Sequence, residues 1–290
     1  MVLRIVTDST CDLPADVVQE YGIAVVPLSV LFGDEELLDG VDITSDEFFA
    51  RLVRESAVPT TSQPPPQRFR DVYESLASEG ADEILSIHVS GSLSGTLEAA
   101  RQGAAGLDKV RIRHVDSRFT SLALGLGVIT AARAAQDGRP LDEVLELVED
   151  QFRRTSLLFV VETMEYLRRG GRIGRAAEAV GSLLRIKPLL AIEDGELVAV
   201  ARVRTKSRAI EEMLRRIGEL RPILYAAAAH AAAPRDLEYV TDRLHGLAPD
   251  APIITASLGP SVGVHGGPGL IGIGAVRAPS ESDSPAPPPR

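Results

Sequence analysis

Short apolar runs closed by turn residues alternate along this chain with longer stretches of helical period, so strands and helices are expected to follow one another in turn. In the first half, runs near 2–7, 23–31, 83–89 and 110–115 predict strands, with helices between them. One helix is expected to start near Asp12 with Pro14 in its first turn, and another at Thr44, where Thr44 and Glu47 have capping-box spacing. Residues 121–137 and 141–154 predict two more, parted by Asp137-Gly138-Arg139-Pro140. The second half opens on a strand near 157–161, then a short helix and the glycine-basic loop Arg168-Arg169-Gly170-Gly171-Arg172-Ile173-Gly174. Asp194-Gly195 suits the positive-φ turn of a hairpin between residues 188–192 and 197–200. Strands near 222–229, 252–257 and 270–276 enclose helices starting near Thr205 and Pro234. The pattern predicts an α/β fold of βα units on mainly parallel sheet.

A chain of 290 residues exceeds the ~100–150 usual for one core, which divides it into two α/β domains, 1–155 and 156–277. Residues 278–290, rich in Ser and Pro, predict a disordered tail. Aromatics are only 4% with no Trp, so the interior is built from Leu, Val, Ile and Ala. A net charge of −10 opposes nucleic acid as the main partner, because phosphate neutralisation needs a basic face. The single Cys11 excludes an intrachain disulfide and fits a reducing compartment, which makes the cytoplasm the expected location. The N-terminus reads as a strand without a signal-peptide pattern, and the alanine run 226–233 is too short for a bilayer. Paired metal ligands such as His-Glu-x-x-His are not found, so no metal or cofactor is expected.

Candidate chemistry gathers in three loops. Ser90 to Thr96 follows the strand that ends at Val89 and precedes an Ala-rich helix, which puts Ser94 and Gly95 beside free helix amides that favour an anion. Ser94 either caps its own helix or donates to a ligand. Thr60-Thr61-Ser62-Gln63-Pro64-Pro65-Pro66 is a loop held extended by its prolines, which either caps the next helix or closes over the same anion. His265, in Val264-His265-Gly266-Gly267-Pro268-Gly269, is expected in a loop too glycine-rich for helix or strand, where its imidazole binds an anion or is satisfied by loop carbonyls. Asp8-Ser9 and Asp116-Ser117 follow strands and read equally as caps or ligands.

Arg168, Arg169, Arg172 and Arg175 make a basic cluster without the Gly-Lys-Ser/Thr of a P-loop, either a solvated helix end or a binder of a small phosphometabolite. Ser94, Asp116 and His265 occur in the chain order of an α/β-hydrolase, which raises the alternative of a serine acyl-ester hydrolase using Ser94 and His265. The elbow fails, since Gly91-Ser92-Leu93-Ser94-Gly95 places Leu93 at its centre.

Taken together these stretches resemble the DegV family of bacterial fatty-acid-binding proteins, which includes the lipid-carrying subunit of fatty acid kinase. The likeness covers residues ~3–277 and rests on Thr7-Asp8-Ser9-Thr10, Thr61-Ser62-Gln63-Pro64, Ser90 to Thr96, Val115-Asp116-Ser117, Gly170-Gly171-Arg172-Ile173, Ile186-Lys187-Pro188, Ala201-Arg202-Val203-Arg204-Thr205 and His265 to Gly269. It implies two α/β domains with a long-chain fatty acid in a tunnel between them, its carboxylate held at Thr61, Ser62, Ser94, Gly95 and His265. It also implies a non-catalytic role, with a separate dihydroxyacetone-kinase-like fatty acid kinase as partner, which makes the acyl phosphate. Arg172, Arg175 and Arg204 are the expected basic rim toward that partner.

Overall fold

The fold was analysed in a computed structural model, which describes residues 1–55, 58–179 and 187–280. Its elements in chain order are β1 (Leu3–Asp8), α1 (Ala15–Tyr21), β2 (Ala24–Val26), β3 (Ser29–Phe32), β4 (Glu35–Leu38), α2 (Ser45–Arg54), β5 (Thr60–Ser62), α3 (Pro66–Ser78), β6 (Glu83–His88), α4 (Thr96–Ala104), β7 (Arg111–Asp116), α5 (Ser121–Gln136) and α6 (Leu141–Arg153). Then come β8 (Thr155–Val160), α7 (Glu165–Arg169), β9 (Lys187–Glu193), β10 (Glu196–Val203), α8 (Lys206–Gly218), β11 (Ile223–His230), α9 (Pro234–Leu247), β12 (Ile253–Ser257), α10 (Pro260–Gly266) and β13 (Ile271–Arg277).

The first sheet, in the order β2-β1-β6-β7, is wholly parallel, as the βα alternation predicts. Its β6 is buried along its whole length. The second sheet, β10-β9-β8-β13-β11-β12, departs from the expected parallel arrangement. Only β11 and β12, joined through α9, pair in parallel; its other ladders are antiparallel. The last strand, β13, inserts between β8 and β11, a long-range pairing that local periodicity does not carry.

Local chemistry sets several boundaries where they were expected. Thr44 Oγ1 accepts from the Glu47 N–H while Glu47 Oε2 accepts from the Thr44 N–H at 2.9 Å, completing the capping box of α2. Thr205 caps α8, Pro234 opens α9, and Asp194 and Gly195 take φ of 52° and 83° in the β9–β10 turn.

Elsewhere the chain departs from its pattern. The run 23–31 breaks at Pro27 into β2, in the first sheet, and β3, which forms a separate antiparallel sheet β4-β3-β5. The proline-held segment around Thr61 is β5, an edge strand too short to show a period of two. The helix expected near Asp12 begins only at Ala15, because Asp8 caps a 3-10 turn over Ser9–Cys11 that leaves Asp12 at a φ of 51°. His265 is not in a loop but on α10. Glycine is required there, since a Cβ on Gly263 would lie 2.8 Å from the rings of Phe48 and Phe49. The expected tail lies outside the described residues from 281 onward, as does Ile186.

The core is organised about α5, which packs on β1 and β6 of the first sheet and on β8, β11 and β13 of the second. Its sequence is apolar nearly all round, and most of its side chains are buried. Beneath the first sheet runs a line of buried polar groups. Asp8 Oδ2 meets His88 Nδ1 at 2.9 Å, His88 Nε2 meets Ser86 Oγ at 2.7 Å, and Ser86 Oγ meets Tyr73 OH at 2.8 Å. The arrangement has the connectivity of a Ser-His-Asp relay, but Ser86, His88 and Asp8 are all fully buried, so its role is to tie β1 to β6. The Val89 N–H and the Thr10 N–H and hydroxyl also donate to Asp8. Replacing His88 by Ala strips one partner from this buried carboxylate and is expected to cost about 3–5 kcal/mol in urea unfolding. A loss below about 1 kcal/mol would mean that Thr10 and Val89 satisfy Asp8 without it.

Candidate functional site

β5, α10 and the loop before α4 converge on one cavity of about 100 Å³. Its polar wall is Thr10, Thr61, Ser94, Arg172, Ser261 and His265; its apolar wall includes Leu28, Val89, Leu93, Leu167, Ile192 and Leu197. A second cavity of about 50 Å³, lined mostly by apolar residues such as Leu122, Leu157, Ala227 and Leu258 together with Ser121, shares Thr120, Phe159, Val262 and Leu270 with the first. The two adjoin, and together they make a polar head on an apolar body that reaches the start of α5.

Thr61 and His265, 204 residues apart, meet with Oγ1 and Nε2 at 2.9 Å. Pairing of Thr61 with Val30 in the β3–β5 ladder fixes the strand side of this contact. Ser94 lines the same cavity, its Oγ 2.8 Å from Thr96 Oγ1 and accepting from the Thr96 N–H at 3.3 Å, so it satisfies the first amide of α4, whose N-cap is Gly95, and also faces the cavity. Arg172 bridges two loops: Nε donates to the Leu93 carbonyl at 3.1 Å and Nη1 to the Gly170 carbonyl at 2.8 Å.

Other expected residues do not line the cavity. Ser62 is exposed and its hydroxyl turns to the Gln63 carbonyl. Gly95 lies under the Gln63 side chain, which occupies the place its Cβ would need, so the Thr-Ser-Gln-Pro and Ser-Gly-Thr loops do close on each other. Arg175 and Arg204 are exposed, the first in a 3-10 turn and the second between β10 and α8. Thr10 and Ser261 join the polar wall: Thr10 stands in the Thr7-Asp8-Ser9-Thr10 motif with no site role assigned to it, and Ser261 is not singled out in sequence.

The hydrolase constellation does not assemble. His265 bonds Thr61 and not Ser94, while Asp116 accepts from the Arg118 N–H at 2.8 Å and lines a different, broader surface groove of about 1200 Å³. Among the described residues no group of three or more His, Cys, Asp or Glu could hold a metal ion, and no helix is long and apolar enough to cross a membrane.

Burial pushes the His265 imidazole down to about 4, and the neighbouring Arg172 guanidinium adds to the shift. The ring is therefore neutral at pH 7. Its Nδ1 is buried without a hydrogen-bond partner, against a Gly170 whose missing side chain gives the ring its place. The folded pKa lies below the unfolded value of 6.5, so the stability this group contributes is complete above that pH and is lost as pH falls from 6.5 toward about 4. A His265→Gln variant is expected to flatten that decline by an amount on the order of 2–3 kcal/mol, compared by denaturant titrations at pH 7, 5.5 and 4.5. Identical pH profiles would place the titrating burden elsewhere.

Comparison with known proteins follows the same lines. The family model described as "Uncharacterised protein, DegV family" matches residues 2–278. A DegV domain-containing protein of Streptomyces coelicolor is 40% identical over 275 residues, 93% of this chain and 97% of the relative. The structure described as "Fatty Acid Binding of a DegV family Protein from Thermus thermophilus" superposes with a TM-score of 0.87 at 36% identity, covering 96% of this chain and 100% of that one. That of "DegV, a fatty acid binding protein from Bacillus subtilis" gives a TM-score of 0.88 at 28% identity, with 96% and 100% covered. With its α/β sheets, its loop motifs and this match from end to end of the folded region, the chain belongs to the DegV family.

Proposed function

We propose that this protein binds one long-chain fatty acid, the acyl chain along the two adjoining cavities and the carboxylate at the Thr61, Ser94 and His265 end, with Ser62 and Gly95 in the loops that carry these groups. The observation that carries the reading is that a hydroxyl-, imidazole- and guanidinium-lined head adjoins a mostly apolar extension. Fatty-acid binding by the Thermus thermophilus and Bacillus subtilis relatives supports it. So does the physics. Each buried methylene contributes ~0.8 kcal/mol, or on the order of 11 kcal/mol for fourteen before association costs. Hydroxyl donors to a carboxylate add roughly 1.5–3 kcal/mol each at best, so the tail sets affinity and the head sets orientation.

The acid is presented, in this reading, to a separate ATP-dependent fatty acid kinase of the dihydroxyacetone-kinase-like type, which forms the acyl phosphate; the protein itself turns nothing over. A division into two domains near residue 155 lets the ligand lie between them. Arg172, Arg175 and Arg204 form the basic rim that meets the kinase or the product phosphate, and the exposure of Arg175 and Arg204 supports that role. The phosphometabolite alternative is weakened because two nitrogens of Arg172 are already committed to backbone carbonyls and the cavity beyond it is apolar.

Native mass spectrometry with solvent extraction is expected to find one fatty acid per chain; a protein that stays empty after incubation with saturated and unsaturated acids would remove the reading. The double variant Thr61→Ala/Ser94→Ala is expected to lose tenfold or more in fatty-acid affinity with its melting curve little changed. Charge reversal at Arg204 is expected to lower kinase-coupled phosphorylation while fatty-acid retention is kept, and undiminished phosphorylation would sink the rim assignment.

A further inference from the structure

We infer that Asp12 and Asp39 are positioning residues of the head-group site: from the first half of the chain they grip helix α10 by its N-terminal amides and thereby set His265 against Thr61. The inference rests on the proposed function only for what the positioned site then binds. α10 carries no cap of its own, since its N-cap is Gly259 and its first residue is Pro260, which has no N–H to offer. The Gly259 N–H donates instead to Asp12 Oδ1 at 2.8 Å, and the Ser261 N–H to Asp39 Oδ2 at 3.2 Å, across 247 and 222 residues of sequence. Carboxyl oxygens at the positive end of a helix suit both the amides and the dipole.

The grip is itself anchored. Asp39 Oδ2 also accepts from Ser9 Oγ at 2.9 Å, and Ser9 Oγ accepts from the Leu28 N–H at 3.1 Å, which ties the carboxyl to the chain entering β3. On the next helix, Ser45 Oγ donates to the Leu258 carbonyl at 2.7 Å, just ahead of α10. Asp12 and Asp39 are only 7% and 4% exposed, so water competes little for these bonds. Only glycine fits between them, because a Cβ on residue 259 would lie 2.9 Å from Asp12 Oδ1 and 3.1 Å from Asp39 Oδ1.

Leverage makes these contacts matter at the other end. α10 also packs on α2, α7, β3 and β5, with Gly263 seated on Phe48 and Phe49 and the His265 ring against Gly170, while the Asp12 and Asp39 bonds hold its N-terminal end. Five residues of helical rise separate the Pro260 end from His265, so a tilt of about 10° at the gripped end moves the imidazole by about 1 Å. That displacement is enough to break the 2.9 Å contact with Thr61 Oγ1.

The test uses the full chain labelled with ¹⁵N-histidine, in which five histidines give few signals and His265→Gln assigns the one of interest. Asp39→Ala and Asp12→Ala are expected to move the His265 ring signals and to weaken binding of the fluorescent fatty acid cis-parinarate about tenfold. Asp39→Asn keeps an acceptor oxygen for the Ser261 N–H and is expected to stay within about twofold of the parent. Gly259→Ala disturbs the same contacts from the helix side while leaving both carboxyls in place, and the same ring shift is expected from it. Unmoved His265 signals in Asp39→Ala and in Gly259→Ala overturn the inference, whatever the fatty acid does. A parent protein that takes no cis-parinarate, while Asp39→Ala still moves the His265 ring, removes the fatty-acid reading and leaves the positioning role standing.

Discussion

The fold depends on one helix that faces no solvent on most of its length. α5 lies between the two large sheets, and its neighbours approach it closely where its residues are small. Gly125 meets the Cys11 carbonyl and Leu13, Gly127 lies under the Phe152 ring, and Ala123 meets Gly274 of β13. Larger side chains at these points would push α5 off the turn after β1, off α6 and off β13. At its first turn the pattern relaxes, with Thr120, Ser121 and Leu122 lining the apolar cavity. The apolar cavity is thus the region where α5 stops filling the gap between the sheets.

Electrostatically the site stands apart from the rest of the molecule. The chain carries a net charge of −10, and Asp8, Asp12 and Asp39 are buried a few residues from the cavity. Within the cavity wall Arg172 is the charged side chain, and it faces a neutral His265. Burial pushes both Asp12 and Asp39 up from the ordinary carboxylate range, and hydrogen bonds from the Gly259 amide to the first and from Ser9 to the second hold part of the shift back. A hydrocarbon tail gains nothing from charge, so under the proposed function apolar burial captures the ligand and a few polar atoms orient it.

What the sequence made legible was local. The capping box at Thr44, the Asp194-Gly195 turn and the helix starts at Thr205 and Pro234 each depend on residues within a few positions of one another. The place of β13 between β8 and β11 depends on packing across the chain and leaves no periodic trace. α10 is the sharpest case. By propensity its glycines argue against a helix, yet Phe48, Phe49 and Leu270 occupy the room that side chains would need. Thr61, Ser94 and His265 stood out as hydroxyl and imidazole groups in stiff or glycine-rich segments, whereas their meeting is a product of three distant elements. Thr10, though part of a quoted motif, was given no site role and Ser261 passed unnoticed, because each reads as an ordinary turn or helix-start residue until the cavity is seen.

The β9–β10 turn has a practical consequence. Hairpin tips are the usual places to insert a tag or a fluorophore, because little else touches them. Here the Gly195 carbonyl accepts from Ser90 Oγ at 2.8 Å, and a Cβ on Gly195 would lie 2.6 Å from that same oxygen, so the tip of the second sheet is buttoned to the serine loop of the first half. An insertion at Asp194-Gly195 would loosen the loop that carries Ser94. The β3–β4 turn at Gly33, with nothing within 4 Å of where a side chain would start, is the hairpin that can carry a reporter without reaching the cavity.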